Sequence, residues 1–136
     1  MRADATARAV ATAMITALAN EARSRGLVRV IAPLRPTLKH RYPLTPIDQF
    51  AGWVRTDGRP LDPWLRTHVR LGARVLATTE NSQTFTGTIA QWQEWSGLAL
   101  PASGTYVVPD ALAPLTVDVA ADRGICVEPG IWVQHR

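Results

Sequence analysis

The sequence contains little of what several protein classes require. One of its 136 residues is a cysteine, Cys126, which excludes an internal disulfide and a cysteine-rich metal site. No stretch approaches the roughly 18 consecutive apolar residues of a membrane span, and the N-terminus carries no signal-peptide pattern. We therefore expect a cytoplasmic protein that has no membrane partner.

Sequence fingerprints of catalysis are missing as well. The chain has no Walker-type loop, no Gly-x-Ser-x-Gly elbow and no paired-glycine dinucleotide motif. Its histidines, His40, His68 and His135, are far apart in sequence and form no i, i+4 pair, so we predict no metal site. His68 falls within a predicted helix, where an imidazole can serve as an acid or base or be a half-buried structural side chain.

The chain is basic, and nearly all of its positive charge is arginine. It has 15 Lys and Arg residues against 11 Asp and Glu, for a net charge of +4. Because the arginines are dispersed along the sequence, we interpret most of them as solvated surface and do not expect nucleic acid as a partner. The length and the 46% apolar content suit one core, so we predict a single domain over residues 1–136.

The first part of the chain predicts a long helix followed by a strand. Residues 4–25 are rich in alanine and contain neither proline nor glycine, and Val10, Met14 and Leu18 recur at helical spacing. Asp4 is the expected N-terminal cap, and Gly26 the expected left-handed end. The short, β-branched run 27–32 is typical of a buried strand.

The remainder predicts short helices and then short strands. We expect helices at 46–54 and from Asp62-Pro63 onward, since a capping Asp followed by Pro favours a helix start. A helical turn is expected at 91–95. Strands are expected at 73–76, 84–89, 105–108, 115–119 and 131–133, with a turn at 78–83 and a break at Pro129. The fold class is therefore α+β.

Two segments resemble the GCN5-related N-acetyltransferase (GNAT) superfamily. Residues 7–31, which begin ARAVATAM and close ARSRGLVRVI, resemble its central helix and the following strand. Residues 68–74, HVRLGAR, look like its penultimate helix and the exit from that helix. The resemblance implies a partial GNAT-like fold, truncated or incomplete, in which the long N-terminal helix packs on a mixed sheet and the N-terminal strands are missing.

The resemblance also implies a function and a set of site residues. The function is transfer of an acyl group from acetyl-CoA or another acyl-CoA to an amine acceptor. In the family a glycine-containing loop at the start of the central helix binds the coenzyme pyrophosphate. The aligned positions here are Arg8, Ala9, Val10, Ala11 and Thr12. His68 takes the position of the family's proton donor.

Further residues are assigned to the substrate side, and the missing strand leaves alternatives open. Arg35, Lys39 and Arg41 lie in a proline-rich segment that we expect beside the acceptor or the coenzyme phosphates. Without the preceding strand, residues 28–31 would leave one sheet edge bare, and a bare edge pairs with other chains. The chain is therefore expected to form a homo-oligomer or to bind a partner that completes the sheet. It is either an active enzyme, a non-catalytic binding module or an inactive relic.

Overall fold

The fold is an antiparallel sheet with helices placed before and between its strands. A computed structural model describes residues 5–135. The elements in this range are α1 (Ala5–Ser24), β1 (Val30–Leu34), a 3-10 turn (Lys39–Arg41), α2 (Ile47–Ala51), α3 (Pro63–Arg70), β2 (Arg74–Gly87), α4 (Ile89–Ser96), β3 (Gly104–Tyr106), β4 (Leu115–Asp118) and β5 (Arg123–His135). The predicted α+β class is confirmed and is consistent with a partial GNAT-like fold.

The sheet is organised around β5. Strand β2 pairs with β5 along most of its length, and on the other side β4 pairs with residues 123–126 and β1 with residues 131–135. Strand β3 extends the sheet beyond β4. Every pairing within the described residues is antiparallel, so the expectation of a mixed sheet is corrected.

The break expected at Pro129 does not occur, because β5 continues through it. Pro129 has no N–H to donate to a neighbouring strand. It lies where the register of β2 shifts, from Thr79 opposite Gly130 to Gln83 opposite Glu128. The same irregularity lets β2 run as one bulged strand where the sequence predicted two strands and a turn.

Two apolar clusters form the core, one for each half of β5. Helices α2 and α3 place Phe50 and Leu65 against Ile131 and Val133. Helix α4 places Trp92 in a second cluster with Leu115, Val117, Cys126 and two further residues, Leu100 and Val108. Both clusters contain side chains of β5, so the loss of that strand would disrupt both clusters.

Helix α1 forms as predicted, but it packs on the sheet less than we expected. Gly26, with φ of 74°, ends it, whereas the expected cap Asp4 lies outside the described residues. Ala22 is the one buried residue of α1, while Val10, Met14 and Leu18 on its apolar face are exposed. The predicted amphipathic helix is therefore present, and the described residues leave most of its apolar stripe exposed.

The first residues of the predicted buried strand are also exposed. Strand β1 starts at Val30 rather than Leu27, and Val28 before it is 81% exposed. Ile31 is half exposed, and β1 pairs with β5 alone among the described strands. The structure thus places β1 at an edge of the sheet.

Gly124 is required by the close approach of Trp92. A Cβ atom at Gly124 would lie 2.5 Å from Cδ1 of Trp92 and 3.1 Å from Cδ1 of Leu115. We expect Gly124→Ala to lower the free energy of unfolding by about 1–3 kcal/mol, the usual cost of overpacking a core. Urea unfolding measures this change.

Gly52→Ala is the matched control. A Cβ there lies 3.5 Å from the Gln49 carbonyl oxygen, an ordinary contact, and its backbone angles are helical. This variant should keep or slightly raise the free energy of unfolding. Equal losses in the two variants would contradict the packing described for Trp92.

Candidate functional site

An arginine-rich groove lies between α1, α3 and the turn that precedes α3. Its volume is about 810 Å³, and five of its lining side chains are arginines: Arg8, Arg55, Arg59, Arg66 and Arg70. These come from three separate stretches of sequence. Five arginines that are dispersed in the sequence are therefore gathered in space, and no motif in the sequence predicted this.

Hydrogen bonds hold several sides of this groove. Arg70 Nη2 donates to Thr12 Oγ1 at 3.2 Å, which ties α3 to α1. Arg66 Nη1 donates to the carbonyl oxygens of Pro60 and Leu61, which fixes the preceding turn on α3. Helix α3 itself starts at Asp62, whose carboxylate accepts from the N–H groups of Trp64 and Leu65.

The charge of the groove is largely uncompensated. Asp57 is the acidic neighbour: its carboxylate accepts from the N–H of Arg59 at 3.0 Å and faces Arg55 at 3.9 Å. That N–H, followed by the nearby guanidinium groups, holds the pKa of the Asp57 carboxyl below its ordinary value. Within residues 5–135, the Arg8 side chain has no hydrogen-bond or ion-pair partner. Planar guanidinium groups bind phosphate by paired N–H donors, so this groove suits a phosphate-bearing ligand.

The predicted coenzyme residues lie at this groove, but not in the form expected. Arg8, Ala9 and Thr12 line it, whereas Val10 and Ala11 do not. Residues 9–12 are helical rather than part of a loop, and their N–H groups donate to carbonyls four residues earlier in α1. The assignment of Arg8–Thr12 to coenzyme binding stays a prediction, and the groove beside them offers guanidinium side chains.

The predicted catalytic residue, His68, is buried in a histidine pair. Its Nδ1 lies 2.8 Å from Nε2 of His135, so one ring donates and the other accepts. The rings of Trp64 and His68 meet edge to face at a centroid distance of 4.5 Å. His68 is 6% exposed, and it lines neither the arginine-rich groove nor the second cavity described below.

Burial changes the protonation of this pair. Desolvation, and then the neighbouring His135, lower the pKa of His68 to about 4, and desolvation lowers the pKa of His135. Both imidazoles are therefore neutral near pH 7. A proton donor of the imidazolium type would need a charged His68, so the surroundings favour a structural role.

The substrate residues predicted around the proline-rich segment separate in space. Lys39 is 1% exposed, and its Nζ donates to the carbonyl oxygens of Tyr42 at 2.6 Å and Leu112 at 2.9 Å. Burial lowers its pKa, against the opposing charges of Glu80 and Glu128. Lys39 is thus hydrogen-bonded within the fold, and its assignment to the substrate side stays a prediction. Arg41 is exposed and lines neither cavity, so its role stays a prediction.

Arg35 forms an ion pair at the edge of a second cavity. Its Nε and Nη2 each lie 3.1 Å from a carboxylate oxygen of Glu128, and Nη2 also donates to the Asp110 carbonyl. The Leu112 N–H also donates a hydrogen bond to Glu128 Oε2, at 2.8 Å. The cavity beside this pair has a volume of about 360 Å³, and its aromatic walls include Trp92 and Trp95.

The described range shows neither a metal-binding cluster nor a membrane-spanning helix. Residues 5–135 contain no group of three or more His, Cys, Asp or Glu side chains arranged to hold a metal ion. None of the helices in this range combines the length and apolar character that a membrane crossing requires.

The chain is similar to an acetyltransferase. It is 33% identical, over 139 residues, to the arginine N-acetyltransferase avaD of Aspergillus versicolor. The match covers 89% of this chain and 47% of that protein, so the chain spans about half the length of the curated relative. No protein-family model matches the chain, and no solved structure matches it. The chain thus resembles part of a protein named as an acetyltransferase, while the activity, the superfamily, the coenzyme and the acceptor stay predictions.

The histidine pair makes stability depend on pH. Because the pKa of His68 is lower in the folded state, the unfolded chain binds more protons below pH 6.5, and stability falls as the pH falls towards 4. The lowering from 6.5 to about 4 corresponds to about 3 kcal/mol.

We expect the double variant His68→Gln, His135→Gln to lose this acid sensitivity. Urea unfolding at pH 7, 5.5 and 4 should show a smaller decrease in the free energy of unfolding for the variant than for the parent chain. Identical decreases would contradict the description of the pair as buried and neutral.

Proposed function

We propose that this chain is the coenzyme-binding part of an acyl-CoA-dependent N-acyltransferase. The observation that carries the proposal is the meeting of five arginines in a groove bordered by α1, the helix that resembles the coenzyme-binding helix of the GNAT superfamily. The similarity to a named acetyltransferase supports the same reaction class. In this proposal acetyl-CoA or another acyl-CoA donates the acyl group, and the acceptor is an amine.

The arginine-rich groove would hold the coenzyme phosphates. Coenzyme A carries a pyrophosphate and a separate phosphate, and guanidinium groups on α1, α3 and the turn before α3 can bind such groups together. Arg8 and Arg59 are the best candidates for direct contact, because neither guanidinium makes a hydrogen bond within the described part of the chain. Arg66 and Arg70 already brace the groove and would position the others.

The reaction itself balances without a metal or a redox cofactor. The free amine of the acceptor attacks the thioester carbonyl, a carbon–nitrogen bond forms and the carbon–sulfur bond breaks. The amine nitrogen loses a proton, and coenzyme A leaves as the thiolate, which gains one. His68 was predicted to supply that proton. Since its imidazole is neutral and buried, its role in our proposal is to hold α3, and with α3 the groove, against β5.

We propose an amine-bearing small molecule as the acceptor and a cytoplasmic location. The relative is named for arginine, which makes arginine or a similar amine-bearing small molecule a reasonable acceptor to test. A cytoplasmic location, expected from the sequence, would give access to acyl-CoA.

Coenzyme binding is tested by thermal unfolding. A ligand that binds the folded state alone, at roughly a hundred times its Kd, raises the free energy of unfolding by about 2.7 kcal/mol. We expect acetyl-CoA to raise the Tm of the chain by several degrees, and Arg8→Ala with Arg59→Ala to abolish most of that increase. Arg29→Ala, an exposed arginine outside the groove, is the control. No increase in the parent chain, or an equal loss in Arg29→Ala, would refute coenzyme binding at this groove.

A second candidate function is that of a binding module that pairs through its sheet edge. The supporting observation is the exposure of β1 and of the apolar face of α1. Val28, Ile31, Val10, Met14 and Leu18 are all at least half exposed. An edge strand offers unpaired N–H and C=O groups to another strand. The partner would be a second copy of this chain or another chain that adds a strand at this edge.

Light scattering across a concentration series tests the self-pairing form of this candidate. We expect the mass of the parent chain to rise towards that of a dimer, and Met14→Lys with Ile31→Lys to keep it monomeric. Val107→Lys changes an exposed apolar residue away from β1 and α1 and should behave like the parent chain. A monomer at every concentration would exclude self-pairing through this edge.

A further inference from the structure

The second cavity has an aromatic wall that the strands hold in place. Trp92 Nε1 donates to the Gly124 carbonyl at 2.8 Å, and the rings of Trp92 and Trp95 meet edge to face at 5.2 Å. A Cβ at Gly87 would lie 2.9 Å from Cζ3 of Trp95, so that indole rests directly on the backbone of β2. The absence of a side chain at Gly124 and Gly87 thus leaves room for the rings of Trp92 and Trp95.

Helix α4, which carries both tryptophans, is fixed at each end. Thr88 and Gln91 form reciprocal capping bonds at its start, and Gly97, with φ of 71°, ends it. Despite this rigid setting Trp95 is 59% exposed, and Phe85 beside the same cavity is 44% exposed. A fixed aromatic surface that borders a cavity and faces solvent is suited to a ligand.

The charge of this cavity is opposite to that of the chain. Its charged lining residues are Arg35, Asp110 and Glu128, a sum of −1, whereas the whole chain carries +4. Arg35 and Glu128 neutralise each other in the two-point ion pair. The Asp110 carboxylate has no hydrogen-bond or ion-pair partner within residues 5–135, so it supplies the uncompensated negative charge.

Cys126, the remaining reactive group in the lining, does not alter this balance. Its Sγ donates to the Ala113 carbonyl, and burial, followed by the nearby Glu128, raises the pKa of the thiol to about 11. The thiol is therefore protonated and uncharged near neutral pH. Aromatic faces beside a net negative charge attract a cation, and the attraction is worth about 1 kcal/mol at a partly exposed site.

We propose that this cavity, bounded by α4 and the loop 108–111, binds an organic cation, a guanidinium or ammonium group, against Trp92, Trp95 and Asp110. Its volume of about 360 Å³ suits a small molecule of amino-acid size. That the bound cation is the acceptor rests on the proposed acyl transfer. That the cavity binds a cation depends on the cavity alone.

The test uses the full chain without coenzyme and three ligands that each carry a short alkyl chain but differ in the charge of the head group. Calorimetric titration at physiological salt compares butylguanidinium, its uncharged counterpart butylurea, and the anion butyrate. We expect butylguanidinium to bind at least about fivefold more tightly than butylurea, which is the ratio that 1 kcal/mol provides, and butyrate not to bind. Equal affinities of the first two ligands, or preference for butyrate at Arg35, would overturn the proposal.

Two variants locate the cation. Asp110→Asn removes the charge alone, because Asn tolerates the φ of 66° found at this position. Trp95→Leu removes the aromatic face and keeps apolar bulk. Each should weaken butylguanidinium about fivefold. Asp122→Asn is the matched control, since Asp122 also has positive φ, at 48°, but does not line the cavity.

The outcomes for this site and for acyl transfer are separable. Binding of butylguanidinium that depends on Asp110 and Trp95, in a chain whose Tm does not respond to acetyl-CoA, would support the cation site and refute the proposed function. A response to acetyl-CoA without selective binding of butylguanidinium would refute the cation site and leave the proposed function standing. Unchanged affinity in both variants would also refute the site.

Discussion

The structure depends on one strand, β5. Strands β1, β2 and β4 all pair with it, and side chains from its two halves enter the two apolar clusters. It also presents Glu128 to Arg35 and His135 to His68, so the ion pair and the histidine pair are both anchored on it. The pairing of β2 shifts register opposite Pro129, and the two halves of β5 pack against different helices.

This division places two cavities of opposite character on one sheet. Helix α3 is held to the C-terminal half of β5 through His68 and carries Arg66 and Arg70 into the arginine-rich groove. Helix α4 packs on the N-terminal half and presents its tryptophans to the cavity at Asp110. The groove gathers positive charge and the cavity keeps a net negative charge, which suits an anionic coenzyme and a cationic acceptor in our proposals.

Local signals in the sequence predicted the helices and where they begin or end. Contacts between distant segments determined the strand pairing, the burial of Lys39 and the arginine-rich groove. Helix α3 follows from Asp62 and Pro63, and the end of α1 follows from Gly26, because caps act within a few residues. The bulged strand β2 and the continuation of β5 through Pro129 depend on pairing between distant segments. The burial of Lys39 depends on a carbonyl 73 residues away, at Leu112. Likewise, the arginine-rich groove has no sequence motif, since its members come from three stretches.

The central claim is that the arginine-rich groove binds the phosphates of coenzyme A. The most direct measurement is a titration of the chain with coenzyme A, followed through the NMR signals of the arginine Nε–H groups. We predict that signals of Arg8, Arg55, Arg59, Arg66 and Arg70 shift together with one affinity, while those of Arg29, Arg41 and Arg123 do not. Shifts confined to arginines outside the groove, or no shifts at saturating coenzyme A, would contradict the claim.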